Sequence, residues 1–254
     1  MRHDLFLFLA LAIGACSFDR AGAAEIHVLA GSAVQPVMNR IIPTFEAGTG
    51  HHVRFDYGTV GGMAQRVQQG ERADLAIVSA PQMDSLEREG RIAAGSRLAL
   101  GKTGVGIFVR KAASKPDIAS VDSFKRTMLA AKSIGYNDPA AGAPVGIYLL
   151  GLFERMGIAE AMAAKTVVFK QRSERFDAVA RGDVEIGFNQ VSEIVAVPSV
   201  DLVGPLPEAI QSYTVLTIGV VAASGQPDAA RALIAFLAAP ESLAAFRSAG
   251  FAAP

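Results

Sequence analysis

The chain is short of the residue types that most often mark specialised chemistry. Its 254 residues include one cysteine, no tryptophan, four tyrosines and four histidines. The single cysteine, Cys16, excludes a disulfide bond within the chain. Without tryptophan and with so few tyrosines, an aromatic platform for stacking sugars is poorly supported.

Histidine offers no metal site either. His51 and His52 are adjacent at the start of a predicted strand, where neighbouring side chains point to opposite faces of a sheet. The two are therefore not expected to share a metal ion. The sequence predicts no metal and no cofactor.

An excess of charge of one sign is also lacking. Lys and Arg number 24, as do Asp and Glu, so the chain is formally neutral. A neutral chain lacks the excess of positive charge that would attract the phosphates of nucleic acid, so no nucleic-acid partner is expected. Because 51% of the residues are apolar and 19% charged, the composition indicates a folded protein with a sizeable core.

The N-terminus has the features of an export signal. Residues 5–15 form an apolar run too short to span a membrane, and Ala21-Gly22-Ala23 supply a cleavage pattern. We predict a signal peptide over residues 1–23 and release into the periplasm from Ala24. Ile13-Gly14-Ala15 before Cys16 resembles a lipobox, so lipid anchoring at Cys16 is the alternative.

Strand and helix patterns alternate after the signal. The segments "EIHVLAG" and "HHVRFDYG" have strand patterns, and each leads through glycine and a hydroxyl residue into a helical pattern. Ser32 and Thr59 are the predicted N-caps of those helices. "ADLAIVSA" is nearly continuous apolar sequence, which suits a parallel strand covered on both faces. This order predicts a doubly wound α/β unit.

A second α/β unit is predicted after residue 117. Its strands are "AKSIGY", "TVVF" and "VEIGF", and "YTVLTIGVVAAS" is expected to run back between the units. Two amphipathic helices close the chain. We predict two lobes with a cleft between them: residues 24–103 with 222–254, and residues 104–221, which include the strands that cross the hinge.

Several predicted helix starts fall at the carboxyl ends of strands, where open α/β sheets bind ligands. Helix N-termini carry unsatisfied N–H groups and partial positive charge, so they favour anions. Three such places contain small residues, at Gly31-Ser32, Gly58-Thr59 and Gly142-Ala143. Any one is compatible with an ordinary cap or tight turn, but their recurrence favours a bound anion.

These segments resemble those of periplasmic solute-binding proteins of ABC importers, close to the molybdate-binding group of the type II class. The resemblance covers the mature chain and rests on the order of "VLAGSAVQPVMNRII", "GERADLAIVSAPQMDSLEREGRI", "YNDPAAGAPVGIYLLGLFERMGI" and "DAVARGDVEIGFNQVSE". It implies a two-lobed type II fold that captures a small anion by hinge closure. It also implies an ABC permease and its ATPase as partners, and we expect a monomer.

The resemblance further implies the ligand contacts. The first-loop serine of the family falls on Ser32 and the second-loop hydroxyl on Thr59, and later loops supply the rest. The predicted ligand-binding residues are Gly31, Ser32, Thr59, Val60, Ser79, Ala80, Gly142, Ala143, Arg172, Ser173, Asn189 and Gln190.

Two departures from the molybdate binders leave the ligand open. Asn189-Gln190 stands where those proteins place a tyrosine, and Arg172 offers a planar guanidinium that matches a carboxylate, unless it is solvated on the surface. The ligand is therefore either an organic polycarboxylate or a molybdate-like oxyanion.

The alternative is an exported enzyme acting on a small anionic substrate. The sequence has no P-loop lysine, no G-x-S-x-G turn and no plausible Ser/His/Asp set. A cytoplasmic effector-sensing domain would lack the signal segment and carry a helix-turn-helix. The sequence alone therefore favours a binding protein and argues against an enzyme.

Overall fold

The computed structural model describes residues 22–254, apart from the side chain of Arg172. Most of the predicted signal peptide, with Cys16, lies outside these residues. The described strands are β1 (Glu25–Gly31), β2 (His52–Gly58), β3 (Leu75–Ser79), β4 (Leu98–Arg110), β5 (Ile134–Asn137), β6 (Thr166–Phe169), β7 (Ile186–Gln190), β8 (Val200–Pro205) and β9 (Tyr213–Val220).

Within residues 22–254, ten α-helices connect and cover these strands. They are α1 (Gln35–Thr49), α2 (Val60–Gln68), α3 (Ala80–Arg88), α4 (Val121–Ala130), α5 (Pro144–Arg155), α6 (Ala159–Ala163), α7 (Arg172–Arg181), α8 (Val191–Ile194), α9 (Pro227–Ala238) and α10 (Pro240–Ser248).

The strands form one mixed sheet in the order β2-β1-β3-β9-β4-β7-β5-β6, with β8 also paired to β4. The strands β1, β2 and β3 are parallel to one another, as are β5, β6 and β7. The strand β9 is antiparallel to β3, β4 is antiparallel to β7, and β4 and β9 are antiparallel to each other. The strand β4 serves both units, because Leu98–Gly104 pairs with β9 and Val105–Arg110 pairs with β7 or β8. The predicted α/β class, with two units, is confirmed.

Separate hydrophobic cores lie under the two units. Phe45, Ile77 and Leu233 belong to the core of the first unit, and Phe124 and Phe188 to that of the second. The predicted lobe boundaries at 103/104 and 221/222 stay a prediction.

Glycines at the ends of β1 and β2 let α2 pack closely against the sheet. Gly31 and Gly58 are register partners. A Cβ on Gly31 would lie 2.5 Å from Val60 Cγ1, and one on Gly58 would lie 2.6 Å from Met63 Cε. The small residues after β1 and β2 therefore make room for side chains of α2.

Of the two predicted N-caps, the structure confirms Thr59. The Thr59 hydroxyl accepts a hydrogen bond from the Gly62 N–H at 3.0 Å. The prediction for Ser32 is wrong, because Ser32–Val34 forms a 3-10 turn and α1 begins only at Gln35. The Ser32 hydroxyl instead donates to the Gly58 carbonyl at 3.1 Å and so joins the ends of β1 and β2.

The predicted closing helices are present as α9 and α10. Leu233 and Phe246 anchor them in the first core. Among the described residues, no single helix is long and apolar enough to cross a membrane, and α9 and α10 reach that length only as a pair bent by 65°.

Candidate functional site

A cavity of about 330 Å³ lies where the two units meet, at the carboxyl ends of β1, β2, β5 and β7. We call its two sides the first wall, formed by Ser32, Tyr57, Thr59 and Val60, and the second wall, formed by Asn137, Ala143, Asn189, Gln190 and Glu193. This is the position at which open α/β sheets bind ligands.

Four α-helices of nine residues or more begin beside this cavity. They are α1, α2, α5 and α7, whose first turns or N-caps contribute Gln35, Val60, Pro144 and Gln171 to its lining. Free N–H groups and the helix dipoles make the cavity favourable for negative charge.

Four buried polar atoms on the two walls have no hydrogen-bond partner. They are the Tyr57 hydroxyl, Asn137 Oδ1, Asn189 Nδ2 and Gln190 Oε1. A buried polar atom without a partner costs about 1–3 kcal/mol, so such atoms are rare and call for an explanation. The residues that carry these atoms all line one cavity, where a polar ligand would be able to complete their hydrogen bonds.

Tyr57 is the aromatic residue of the cavity. Its ring stacks on Phe55 with 5.2 Å between the ring centroids, and its buried hydroxyl has no hydrogen-bond partner. Burial raises the pKa of the Tyr57 hydroxyl above its ordinary value, so the group keeps its proton and acts as a neutral donor. The cavity therefore has a tyrosine hydroxyl from β2, although Asn189 and Gln190 stand where the resembled proteins place theirs.

Among the described lining residues, two side chains carry charge. Lys170 is exposed at the rim, whereas Glu193 is only 6% exposed and lies in the first turn of α8. The interior is thus built of hydroxyls, amides and one carboxyl group.

The two units touch beside the cavity. The Thr59 hydroxyl donates to the Ala141 carbonyl, and a Cβ on Gly61 would lie only 2.9 Å from the Cα of Gly142. Gly142 itself has a φ of +69°, which favours glycine. These contacts leave the two walls facing one another across a narrow space.

Seven of the predicted ligand-binding residues line the cavity. They are Ser32, Thr59, Val60, Ala143, Ser173, Asn189 and Gln190. Gly31, Ser79, Ala80 and Gly142 do not line it, and for Arg172 the structure describes only the backbone at the start of α7.

Ser79 is occupied in capping α3. Its hydroxyl donates to Gln82 Oε1 at 2.5 Å, and that same oxygen accepts from the Ser79 N–H at 3.2 Å. The site role of all twelve predicted residues stays a prediction.

The sequence interpretation missed Tyr57, Asn137, Lys170 and Glu193, all of which line the cavity. A signal was present for two of them: Tyr57 is the penultimate residue of β2 and Asn137 the last of β5. Polar residues at the carboxyl ends of such strands face the ligand crevice. Glu193 follows a predicted strand by several residues, and no pattern marked it.

Two relatives with different activities cover most of the chain. The aconitate isomerase of Pseudomonas sp. is 34% identical over 234 residues, which are 89% of this chain and 86% of that protein. The molybdate-binding protein ModA of Azotobacter vinelandii is 28% identical, with 96% of each chain covered.

A solved structure confirms the predicted type II periplasmic binding fold. The periplasmic molybdate-binding protein of Azotobacter vinelandii superposes with a TM-score of 0.76 at 16% identity, over 90% of this chain and 99% of that one. At that identity the likeness concerns the fold.

The conclusion that the chain is not an enzyme is wrong, because a 34% identical relative covering most of it is named as an isomerase. The sequence argument against an enzyme rested on the absence of motifs for phosphoryl, hydride and acyl transfer. An isomerase requires none of these motifs.

The family assignment rests on nearly the whole described chain. Residues 26–252 match the family described as bacterial extracellular solute-binding protein, whose members lie outside the cytoplasm. The predicted resemblance is confirmed by this match and by the molybdate-binding relative. The chain belongs to the bacterial extracellular solute-binding protein family.

Proposed function

We propose that this protein binds an unsaturated polycarboxylate of the aconitate type in the cavity between its walls and interconverts its geometric isomers. The observation that carries the binding is the set of four unpaired buried polar atoms on one cavity. The 34% identity to an aconitate isomerase supports the substrate and the reaction.

The unpaired atoms suit carboxylate groups. The Tyr57 hydroxyl and Asn189 Nδ2 are donors. The amide groups of Asn137 and Gln190 also present a donor when they rotate by about 180°, which exchanges the amide oxygen and nitrogen. Hydrogen bonds to charged groups contribute about 1.5–3 kcal/mol each. Several of them, with the helix N-termini, offset the loss of carboxylate hydration.

The dimensions also favour an organic anion. The cavity of about 330 Å³ lies at the lower end of the range of about 300–1,000 Å³ for small-molecule sites. A tetrahedral oxyanion, one central atom with its oxygens, would leave part of this volume empty. A tricarboxylate has a carbon skeleton that fills the cavity and places carboxylates on both walls at once.

Isomerisation of such an acid needs proton transfer and little else. Its methylene hydrogens are acidic, since they lie beside both a carboxylate and the double bond. Moving one proton from the methylene carbon to the far alkene carbon shifts the double bond and exchanges one geometric isomer for the other. A buried base and donors for the developing negative charge are sufficient for this reaction.

A second role, capture of the anion for an ABC permease, is supported by the family and by the contact between units at Thr59 and Ala141. A closed form held by such contacts is what a permease would distinguish from an open one. Uptake of labelled aconitate by cells with and without the intact gene measures this role. Equal uptake in both would contradict it.

Export from the cytoplasm is part of the proposal. Mass spectrometry of the protein from its native cell distinguishes a free N-terminus at Ala24 from a lipidated Cys16. An intact Met1 would contradict both forms.

The enzymatic proposal is tested by proton NMR. The purified protein is incubated separately with cis- and trans-aconitate, and both samples are expected to reach the same isomer ratio. An Asn189→Leu variant is expected to convert both far more slowly. Binding without any interconversion in the unmodified protein would contradict the isomerase.

A further inference from the structure

We propose that Glu193 is the base that carries the proton between the two carbon atoms of the substrate. This inference rests on the proposed isomerase function. It concerns a residue that the predicted ligand-binding set did not contain.

The position of Glu193 is suited to this role. The residue lies three positions after Gln190, in the first turn of α8, and α8 begins directly where β7 ends at the cavity. Glu193 is 6% exposed and lines the same cavity as the unpaired amides of Asn189 and Gln190. Its carboxyl group is therefore held inside, on the second wall.

The chemistry of a carboxylate is suited to this step. The other described lining residues are neutral, apart from Lys170 at the rim. A carboxylate among them supplies the base that proton abstraction from carbon requires.

Other groups on the described lining fit the task less well. No histidine is among them. The Tyr57 hydroxyl keeps its proton, because burial raises its pKa, and is a donor rather than a base. The hydroxyls of Ser32 and Thr59 donate to backbone carbonyls. Glu193 is the one carboxylate on the described lining.

The proposed step is balanced within the substrate and this side chain. A Glu193 carboxylate oxygen takes a proton from the methylene carbon, and the electrons of that C–H bond spread over three carbons and the attached carboxylates. The resulting carboxylic acid returns the proton to the other terminal carbon. One C–H bond breaks, one forms, the double bond moves, and nothing is oxidised or reduced. The N-termini of α2 and α5 stabilise the added charge.

Deuterium exchange separates this inference from the isomerase proposal. The protein is incubated with aconitate in D₂O, and NMR records exchange of the methylene hydrogens, isomer conversion and binding in the same sample. The first variant, Glu193→Gln, keeps the shape of the side chain but removes its charge. The second, Glu193→Asp, keeps the charge but moves the carboxylate away from the substrate, because the side chain is one methylene shorter. Glu154→Gln, exposed near the C-terminal end of α5, is the control.

For Glu193→Gln we expect exchange and conversion to fall at least about a hundredfold, the usual scale of a lost general base. Aconitate should still bind to this variant, because glutamine keeps the shape of the side chain. Glu193→Asp should slow exchange while keeping affinity. If the glutamine variant does not fold, the aspartate variant alone tests whether Glu193 is the base. The control should exchange at the unmodified rate.

The remaining outcomes are distinct. Exchange and conversion at the unmodified rate in both Glu193 variants would overturn the role of Glu193 and leave the isomerase standing. Exchange without conversion in the unmodified protein, lost in Glu193→Gln, would overturn the isomerase and support the base. The absence of both exchange and conversion in the unmodified protein would overturn both. Conversion without exchange that is lost in Glu193→Gln would mean that Glu193 returns the same proton, and would support both.

Discussion

The two walls of the cavity differ in how much of their hydrogen-bonding capacity is already used within the protein. On the first wall, the hydroxyls of Ser32 and Thr59 donate to backbone carbonyls. On the second wall, Asn137, Asn189 and Gln190 each keep an unpaired buried atom. The first wall therefore keeps one unpaired side-chain atom, the Tyr57 hydroxyl, and is otherwise pre-organised, whereas the second wall keeps three. We expect the second wall to decide which anion is bound.

The largest expected effect concerns the second wall. Asn189→Leu should weaken aconitate binding by roughly a hundredfold, because it removes a buried donor to a charged group. Calorimetric titration measures the loss. Thr217→Val is the matched control: the Thr217 hydroxyl is also buried and unpaired but lies in β9, away from the cavity. A control variant with equally weak binding would refute the assignment.

The contact between the units gives the next effect. Gly61→Ala would bring a Cβ to 2.9 Å from the Gly142 Cα and keep the walls apart. Overpacking of this kind costs about 2 kcal/mol, so we expect roughly thirtyfold weaker binding. Gly48→Ala is the control, since nothing lies within 4 Å of its added methyl group. Unchanged affinity in the Gly61 variant would mean that closure here is not needed.

Two tyrosines test whether an unpaired atom serves the ligand and a paired one serves the fold. Tyr57→Phe should lower affinity about tenfold without loss of stability, because its hydroxyl has no partner in the protein. Tyr148→Phe should cost about 1 kcal/mol of unfolding free energy and leave binding alone, because that hydroxyl donates to the Ile210 carbonyl at 2.7 Å. Titration and thermal unfolding of both variants measure this reversal. The same effects in both variants would contradict it.

The hydroxyls of Ser32 and Thr59, which are already paired within the protein, should matter less to the ligand. Ser32→Ala is expected to weaken binding only about threefold, and Thr59→Ala should mainly cost about 1 kcal/mol of stability through loss of the α2 cap. Thr59→Ser should restore that stability. A hundredfold loss of affinity in Ser32→Ala would shift the selective role to the first wall.

The smallest effect is a pH dependence from Tyr57. Burial raises its pKa in the folded protein, whereas in the unfolded chain the hydroxyl ionises near its usual value of about 10. Stability is therefore fully present below pH 10 and falls as the pH rises above it. Denaturant unfolding of Tyr57→Phe should show a shallower fall above pH 10. Identical slopes would contradict the buried neutral hydroxyl.

Much of the fold could be predicted because local patterns and tertiary structure agree. The strands β1, β2 and β6 match the predicted segments to within one residue, since alternation or apolar runs end there at turn-forming residues. The long strand β4 was missed because Gly101, Gly104 and Gly106 are typical of loops. A Cβ at Gly104 or Gly106 would lie 2.9 Å from side chains packed over the sheet, so these glycines are required by distant neighbours.

The candidate site was less predictable, because its properties also depend on neighbours that are distant in the chain. Helix starts at strand ends mark the place, and they led to Thr59 and Ala143. Whether a polar atom is satisfied depends on partners far away in the chain: Ser79 is satisfied by Gln82, whereas Tyr57 and Asn137 are not satisfied within the protein. Sequence patterns locate the cavity but do not reveal which polar atoms of its lining lack a hydrogen-bond partner in the protein.

The central claim is that the second wall selects a polycarboxylate over a tetrahedral oxyanion. A calorimetric competition tests it most directly: aconitate is titrated into the protein alone and into protein saturated with molybdate at high concentration. We predict a full aconitate isotherm in both cases, little displacement by molybdate, and loss of the isotherm in Asn189→Leu. Tight molybdate binding with no heat from aconitate would contradict the account.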